Sequence, residues 1–322
     1  MKVKISKSMQ AAVIHGFGDP DVLELATVPT PELDPGGVLI AIHTAGVGPW
    51  DADIRGGWWP EGRPRFPVIL GTDGSGTAVA VGSRVRRFKV GDKVYAYSWA
   101  NSKGGFYAQY VAVAAEKTAR IPKTLDLRKA GAIATTGLTA LQGVDDALKI
   151  KRGESVIVHG ATGGVGSLAL QFAKLRGARV LGTGTGSDGK AFVRRLGADV
   201  AVDGKNEDIA ASVQKFAPKG VDAVLAFAGG DALEKCIDAL RRGGRVAYPN
   251  GVEPGPKKRS GVKITSYDGT PGVRQFEKLN RAVDAARVKV AIAAAYPLAE
   301  AAKAHERLAE GHVLGKIVLK VR

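Results

Sequence analysis

Gly163, Gly164 and Gly166 sit in the stretch SVIVHGATGGVGSLALQFAKLRGARVLGTG, between a run of Val and Ile and a helical pattern that leads to a second apolar run. Glycines so placed let the chain reverse tightly, let the backbone approach a bulky anion, and let helix and strand pack closely. The helix that starts here turns unpaired N–H groups and the positive end of its dipole toward whatever lies in front of the turn. With Thr162 and Val165, the segment predicts a cradle for the pyrophosphate of a dinucleotide. Ala161 stands where the usual G-x-G-x-x-G pattern starts, so the match is the A-x-G-x-x-G variant. The bland alternative is a glycine-rich turn with no ligand.

Which dinucleotide is read from the end of the second strand. A carboxylate there accepts from ribose hydroxyls, whereas a 2′-phosphate needs small polar groups and a cation. Thr183, Thr185 and Ser187, with Lys190 just beyond, fit the phosphate and predict NADP(H). Asp188 is near enough to keep NAD open. The same stretch, GTGSDGKA at 184–191, mimics a phosphate-binding P-loop, but Ala191 replaces the Ser or Thr that would hold Mg²⁺.

Other chemistry-bearing residues are sparse. His15, His43, His159, His305 and His312 show no paired ligand spacing, and one cysteine cannot build a structural zinc site, so no metal is expected. Cys236 lies beside Leu233, Ile237 and Leu240 at helical spacing and reads as a buried, inert thiol. A single cysteine also forbids an internal disulfide and suits a reducing compartment.

The elements that must position these residues follow from the rest of the chain. At 322 residues it exceeds one core, and no apolar run approaches the ~20 residues of a membrane span. MKVKISKSMQAAVI lacks the apolar run of a secretory signal, so a cytoplasmic protein is expected. The net charge of +16 favours encounters with polyanions. Its clusters, RVRRFK at 84–89, Arg194-Arg195 and KKR at 257–259, carry no interleaved aromatics, so they read as solvated surface, not a nucleic-acid groove. The first 120 or so residues show short alternating runs broken by Gly and Pro, which predict a partly closed β-domain. LDLRKAGAIATTGLTALQGVDDAL has helical periodicity. From Ser155, apolar strands alternate with amphipathic helices, the pattern of a doubly wound parallel sheet.

Together AGVGPWDADIRGG, GTDGSGTAVAVG, HGATGGVG, VDAVLAFAGG and YPLAEAAKAHERLAEGHVLGKIVLKV resemble the medium-chain dehydrogenase/reductase superfamily, over nearly the whole chain from Met9. The resemblance implies an α/β fold, with a GroES-like β-rich catalytic domain from 1–123 and 268–322 and a Rossmann domain from 124–267. Zinc-dependent members carry Cys at the position of Gly48 and His-Glu at Thr72-Asp73. The zinc-independent quinone oxidoreductases (zeta-crystallin-like) usually carry Asn at Gly48 and Tyr at Asp53. This chain has neither, which leaves the acceptor open.

By the same resemblance Pro49, Trp50 and Asp51 occupy the cleft, and Trp58, Trp59, Tyr97 and Trp99 lie where they could cover it. Thr136 and Thr139 meet the nicotinamide half of the cofactor, or merely cap and pack a helix. Phe227, Ala228, Tyr248 and Asn250 flank the cofactor along the sheet edge. Without a metal to polarise a carbonyl, a quinone or α,β-unsaturated ketone is the easier acceptor, because its reduced anion is delocalised. The implied activity is NADPH-dependent hydride transfer to such a molecule, by a homodimer. An enoyl-thioester or aldehyde reductase, and a non-catalytic NADPH-binding or nucleic-acid-binding protein, are the alternatives.

Overall fold

Short alternating runs in the first third form β1 (Ser8–Ile14), β2 (Glu24–Pro29), β3 (Gly37–Val47), β4 (Val68–Ile69), β5 (Asp73–Val81), β6 (Lys93–Tyr97), β7 (Tyr110–Ala114) and β8 (Thr118–Arg120), with helix α1 (Pro49–Arg55) after β3. The computed structural model describes residues 5–59 and 62–322. Strand β3 is almost wholly buried, and both of its edges are paired, with β5 along one and β7 along the first half of the other.

The middle of the chain carries α2 (Leu127–Ala130), α3 (Ala134–Gln142), β9 (Ser155–His159), α4 (Gly164–Leu175), β10 (Arg179–Gly184), α5 (Gly186–Arg195), β11 (Val200–Asp203), α6 (Ile209–Phe216), β12 (Val221–Ala226), α7 (Asp231–Asp238), β13 (Leu240–Pro249) and β14 (Lys263–Tyr267). The six strands pair in parallel in the order β11-β10-β9-β12-β13-β14. Strand order reverses between β9 and β12, so a crevice opens at their carboxyl ends, where such sheets bind ligands. The glycine turn leaves β9 at that point.

The chain then forms α8 (Val273–Ala286), β15 (Ile292–Pro297), α9 (Ala301–Ala309) and β16 (Lys316–Lys320). Strand β16 returns to pair antiparallel with the second half of β3, completing the sheet β15-β16-β3-β5-β6-β8. The expected boundary at 268 falls before α8. Yet Phe276, Leu279, Ala282 and Val283 of α8 share one apolar core with Leu138, Leu141 and Phe172, so this helix packs on α3 and α4.

Both parts meet around the glycine turn. The Gly315 N–H donates to the Thr162 carbonyl at 2.8 Å, and His312 pairs with Asp188 on α5 at 2.8 Å.

Candidate active site

The turn after β9 holds the geometry its glycines predict. A Cβ on Gly166 would lie 2.1 Å from the Gly160 carbonyl oxygen, so only glycine lets α4 start this close to the strand it follows. The first backbone bond spanning the helix start runs from Ser167 N–H to the Gly163 carbonyl, and the bridge between Gly163 and Gly315 turns Gly164 toward the Gly315 carbonyl, which leaves the N–H groups of Val165 and Gly166 for an outside partner. These residues fit the pyrophosphate of a dinucleotide.

At the second strand, Thr183 is spent inside the fold. Its hydroxyl oxygen accepts from Gly160 N–H at 3.0 Å and lies 3.0 Å from His159 Nδ1, and the residue is 3% exposed. Burial lowers the His159 pKa to about 4, so this tie is made by a neutral imidazole. Thr185 stands at the N-cap position of α5 without a side-chain capping bond, and Ser187 and Lys190 lie on the helix itself. Lys190 forms an ion pair with Glu207. Asp203, which sequence reasoning missed, accepts from the Gly186 N–H at 3.0 Å and so holds the loop. Its signal was a carboxylate ending the neighbouring strand in VAVD.

The floor of the cleft is built where α1 follows β3. Pro49 opens the helix, and the Asp51 Oδ2 accepts from the Gly48 N–H at 2.9 Å. The Trp50 indole N–H donates to the Thr72 hydroxyl at 2.6 Å. The Lys316 ammonium lies 4.4 Å from the Trp50 ring centroid, within cation–π reach. A Cβ at Gly48 would stand 2.4 Å from the indole, and one at Gly164 would stand 3.3 Å from Lys316 Cδ. Trp50, Lys316 and the glycine turn therefore adjoin one another.

Asp51 was expected to line the pocket. Instead it is wholly buried, as is Asp73, and its carboxylate caps the helix. Burial raises the pKa of Asp51 to about 7 and raises that of Asp73, while burial of Lys316 lowers its own. Lys316 was another residue missed from sequence.

The remaining candidates divide. Thr136 and Thr139 donate their hydroxyl protons to the carbonyls of Ala132 and Thr135 within the helix region, so they pack first and can only accept from a ligand. Phe227 and Ala228 follow β12, Tyr248 lies near the end of β13, and the Asn250 amide donates to Asp268 at 2.8 Å. Trp99 packs on the exposed Trp58 with ring centroids 5.6 Å apart. Cys236 is buried, and its thiol is pushed up to about 12 by burial, the inert state its neighbours predicted.

Residues 34–123 match the alcohol dehydrogenase GroES-like domain, and residues 196–319 match the zinc-binding dehydrogenase family. The quinone oxidoreductase of Rattus norvegicus is 33% identical over 97% of this chain and 98% of its own length. The chain belongs to the medium-chain dehydrogenase/reductase superfamily, in its quinone oxidoreductase branch. The structure of the quinone oxidoreductase from Coxiella burnetii superposes with a TM-score of 0.87 at 31% identity, over 98% of this chain and 100% of that one.

Two further dehydrogenase/reductase structures bear on the cofactor. One is a mycobacterial protein complexed with NADPH, with a TM-score of 0.84 at 28% identity over 97% of this chain and 100% of that one. The other is an NAD-dependent alcohol dehydrogenase, at 0.89 and 30% over 98% and 100%. As a member of this superfamily the protein is an oxidoreductase.

The family description includes zinc, and the residues here do not fit it. The two positions that hold ligands in zinc-dependent members, Gly48 and Thr72, both face the Trp50 indole, which fills the space between them. Among the described residues no three His, Cys, Asp or Glu side chains are grouped to hold an ion.

Proposed function

We propose that this oxidoreductase reduces a quinone or an α,β-unsaturated carbonyl by zinc-independent hydride transfer from NADPH. The observation that carries the reading is the Trp50 indole lodged between Gly48 and Thr72, at the two positions where zinc-dependent members keep ligands. With no Lewis acid held there, the acceptor must be one whose reduced anion is stabilised by its own delocalisation and by hydrogen bonds.

When bound, the dinucleotide supplies the hydride. The N–H groups of Val165 and Gly166 would hold its pyrophosphate beside Gly164, and Phe227, Ala228, Tyr248 and Asn250 would flank it along the sheet edge. NADPH is supported by Gly184, Thr185 and Gly186, which put no carboxylate at the end of β10, and by Lys190 one helical turn on. Asp203, on the next strand, has its oxygens occupied by the N–H groups of Gly186, Lys205 and Asn206. Trp50 offers a flat face to the acceptor ring, with Trp99 on the way out. The outer edge of β14 leaves a strand for a homodimer to pair. No helix among the described residues is long and apolar enough to cross a membrane.

The test is NADPH oxidation with a panel of quinones, enones, enoyl thioesters and aldehydes, before and after prolonged chelation. Turnover of quinones or enones that survives chelation is expected. Activity confined to aldehydes, or lost on chelation and restored by zinc alone, would remove the reading.

A further inference from the structure

Beside α5 the two parts of the molecule are joined by a histidine and a carboxylate that the proposed chemistry does not use. His312 follows α9, and its Nε2 lies 2.8 Å from the Asp188 Oδ2, with both side chains about half exposed. The His312 backbone is left-handed at φ +47°, directly after Gly311 at φ +71°. Such a backbone is uncommon outside glycine and persists where surrounding contacts hold it. Here the Arg307 guanidinium donates to the carbonyls of Gly311 at 2.9 Å and His312 at 3.4 Å. The turn is fixed in the shape that brings the imidazole to α5.

Asp188 stands in the first turn of α5, between Ser187 and Lys190. The helix starts directly after β10, where doubly wound sheets tell a ribose hydroxyl from a phosphate. That turn also adjoins the pyrophosphate cradle, since a Cβ at Gly184 would lie 2.9 Å, and one at Gly189 3.5 Å, from Thr162 Cγ2. Asp188 thus belongs to the very turn that would read a 2′-phosphate. The charges around it are unfavourable. Lys190 is paired with Glu207, and Asp203 on the neighbouring strand is held below the usual carboxylate range by the Asn206 amide and by backbone N–H groups. Lys190 stands against Asp188, Asp203 and Glu207, a set that repels an anion. His312 alters that balance from outside the Rossmann sheet. Its hydrogen bond, helped by the Gly189 N–H at 2.8 Å, holds the Asp188 carboxyl below the usual range.

We infer that His312, reaching across from the C-terminal segment, is a cofactor-specificity residue whose charge cancels that of Asp188 and lets the site accept the 2′-phosphate of NADPH; the inference rests on the proposed reading of that phosphate at α5. A phosphate and an ionised carboxylate on one helical turn repel each other. The repulsion falls on NADPH alone, because the ribose of NADH carries no charge there. With the imidazolium paired to it, Asp188 presents no net charge to the ligand. Lys190 attracts the phosphate, and His312 removes what opposes it. The preference for NADPH is then a property of both parts of the chain together, not of the Rossmann sheet by itself.

The test is a double-mutant cycle on cofactor affinity, in which wild type, His312→Asn, Asp188→Asn and the double variant are titrated with NADPH and with NADH. Asparagine suits the left-handed backbone at 312, so the turn keeps its shape. The titrations are run at pH 6, on the acid side of the range in which histidine ionises. His312→Asn should weaken NADPH about three- to tenfold at low salt and leave NADH within about twofold, as befits exposed charges, and the loss should fade at about 1 M salt. In the Asp188→Asn background the same substitution should change neither affinity, since no charge is left to cancel.

A wild type that favours NADH would remove NADPH from the proposed function, while the change in the NADPH to NADH ratio between wild type and His312→Asn still decides the role of His312. Equal weakening of both cofactors would make the pair a latch between the two parts and overturn the inference. So would a loss of NADPH affinity that persists undiminished once Asp188 is replaced.

Discussion

Gly48 has an extended backbone that any residue could adopt, yet a methyl there would meet the Trp50 indole at 2.4 Å. Gly48→Ala must therefore displace the ring. We expect it to cost about ten- to a hundredfold in kcat/KM for bulky quinones while NADPH affinity stays nearly constant. Trp50→Ala should show the same split, and equal losses in both properties and in stability would mark Trp50 as a core residue instead. Lys190 offers a second test of a single side chain. Its charge is held by Glu207, so a 2′-phosphate must replace that carboxylate. Lys190→Ala should weaken NADPH about ten- to a hundredfold and leave NADH nearly unchanged, whereas Glu207→Gln should strengthen NADPH. Binding titrations with both cofactors decide it: an unchanged NADPH to NADH ratio in Lys190→Ala would assign the phosphate to another cation. At this scale the glycines of the turn were legible because their conformational role is local. Lys316 was not, since a lysine in a closing strand reads as surface until the strand proves buried on both faces.

The same glycine turn separates two kinds of failure at the scale of the element. Gly166→Ala would drive a Cβ into the Gly160 carbonyl at 2.1 Å, so the thermal midpoint and cofactor binding should fall together. Gly164→Ala meets only side-chain carbons at 3.3 Å, which can yield. It should leave the midpoint within a few degrees and weaken NADPH through the crowded N–H groups; thermal melts with and without cofactor distinguish the two. Strand and helix alternation after Ser155 was readable from period alone. The helical stretch at 127–142 was less so. It breaks into α2 and α3 near Gly131, where a Cβ would lie 2.7 Å from Thr44 of β3. No local pattern announces a break imposed by a strand so distant in sequence. The start of α5 at Gly186 is likewise fixed from a distance, by Asp203 on a neighbouring strand.

For the whole molecule, the net charge of +16 is a kinetic property before it is a structural one. The association rate of NADPH should fall as salt is raised from about 10 to 150 mM, since the screening length shrinks from about 30 to 8 Å. Stopped-flow fluorescence measures this, and a rate indifferent to salt would show that the surface charge does not steer the cofactor. The return of the chain to its first sheet was legible only through family resemblance, because nothing within KIVLKV points to β3 as its partner.

That return also has a consequence for how the protein is made. The edge of β3 from Thr44 to Val47 waits for β16, and most of the polypeptide is synthesised between Val47 and Lys316. At roughly 5 to 20 residues per second the wait on the ribosome lasts on the order of tens of seconds. During that time the Rossmann sheet can form in full while the neighbouring sheet keeps an open apolar edge. A nascent chain arrested at His312 would hold the entire glycine turn and still lack Lys316, so the inserted domain can be complete before the strand that closes the cleft is made.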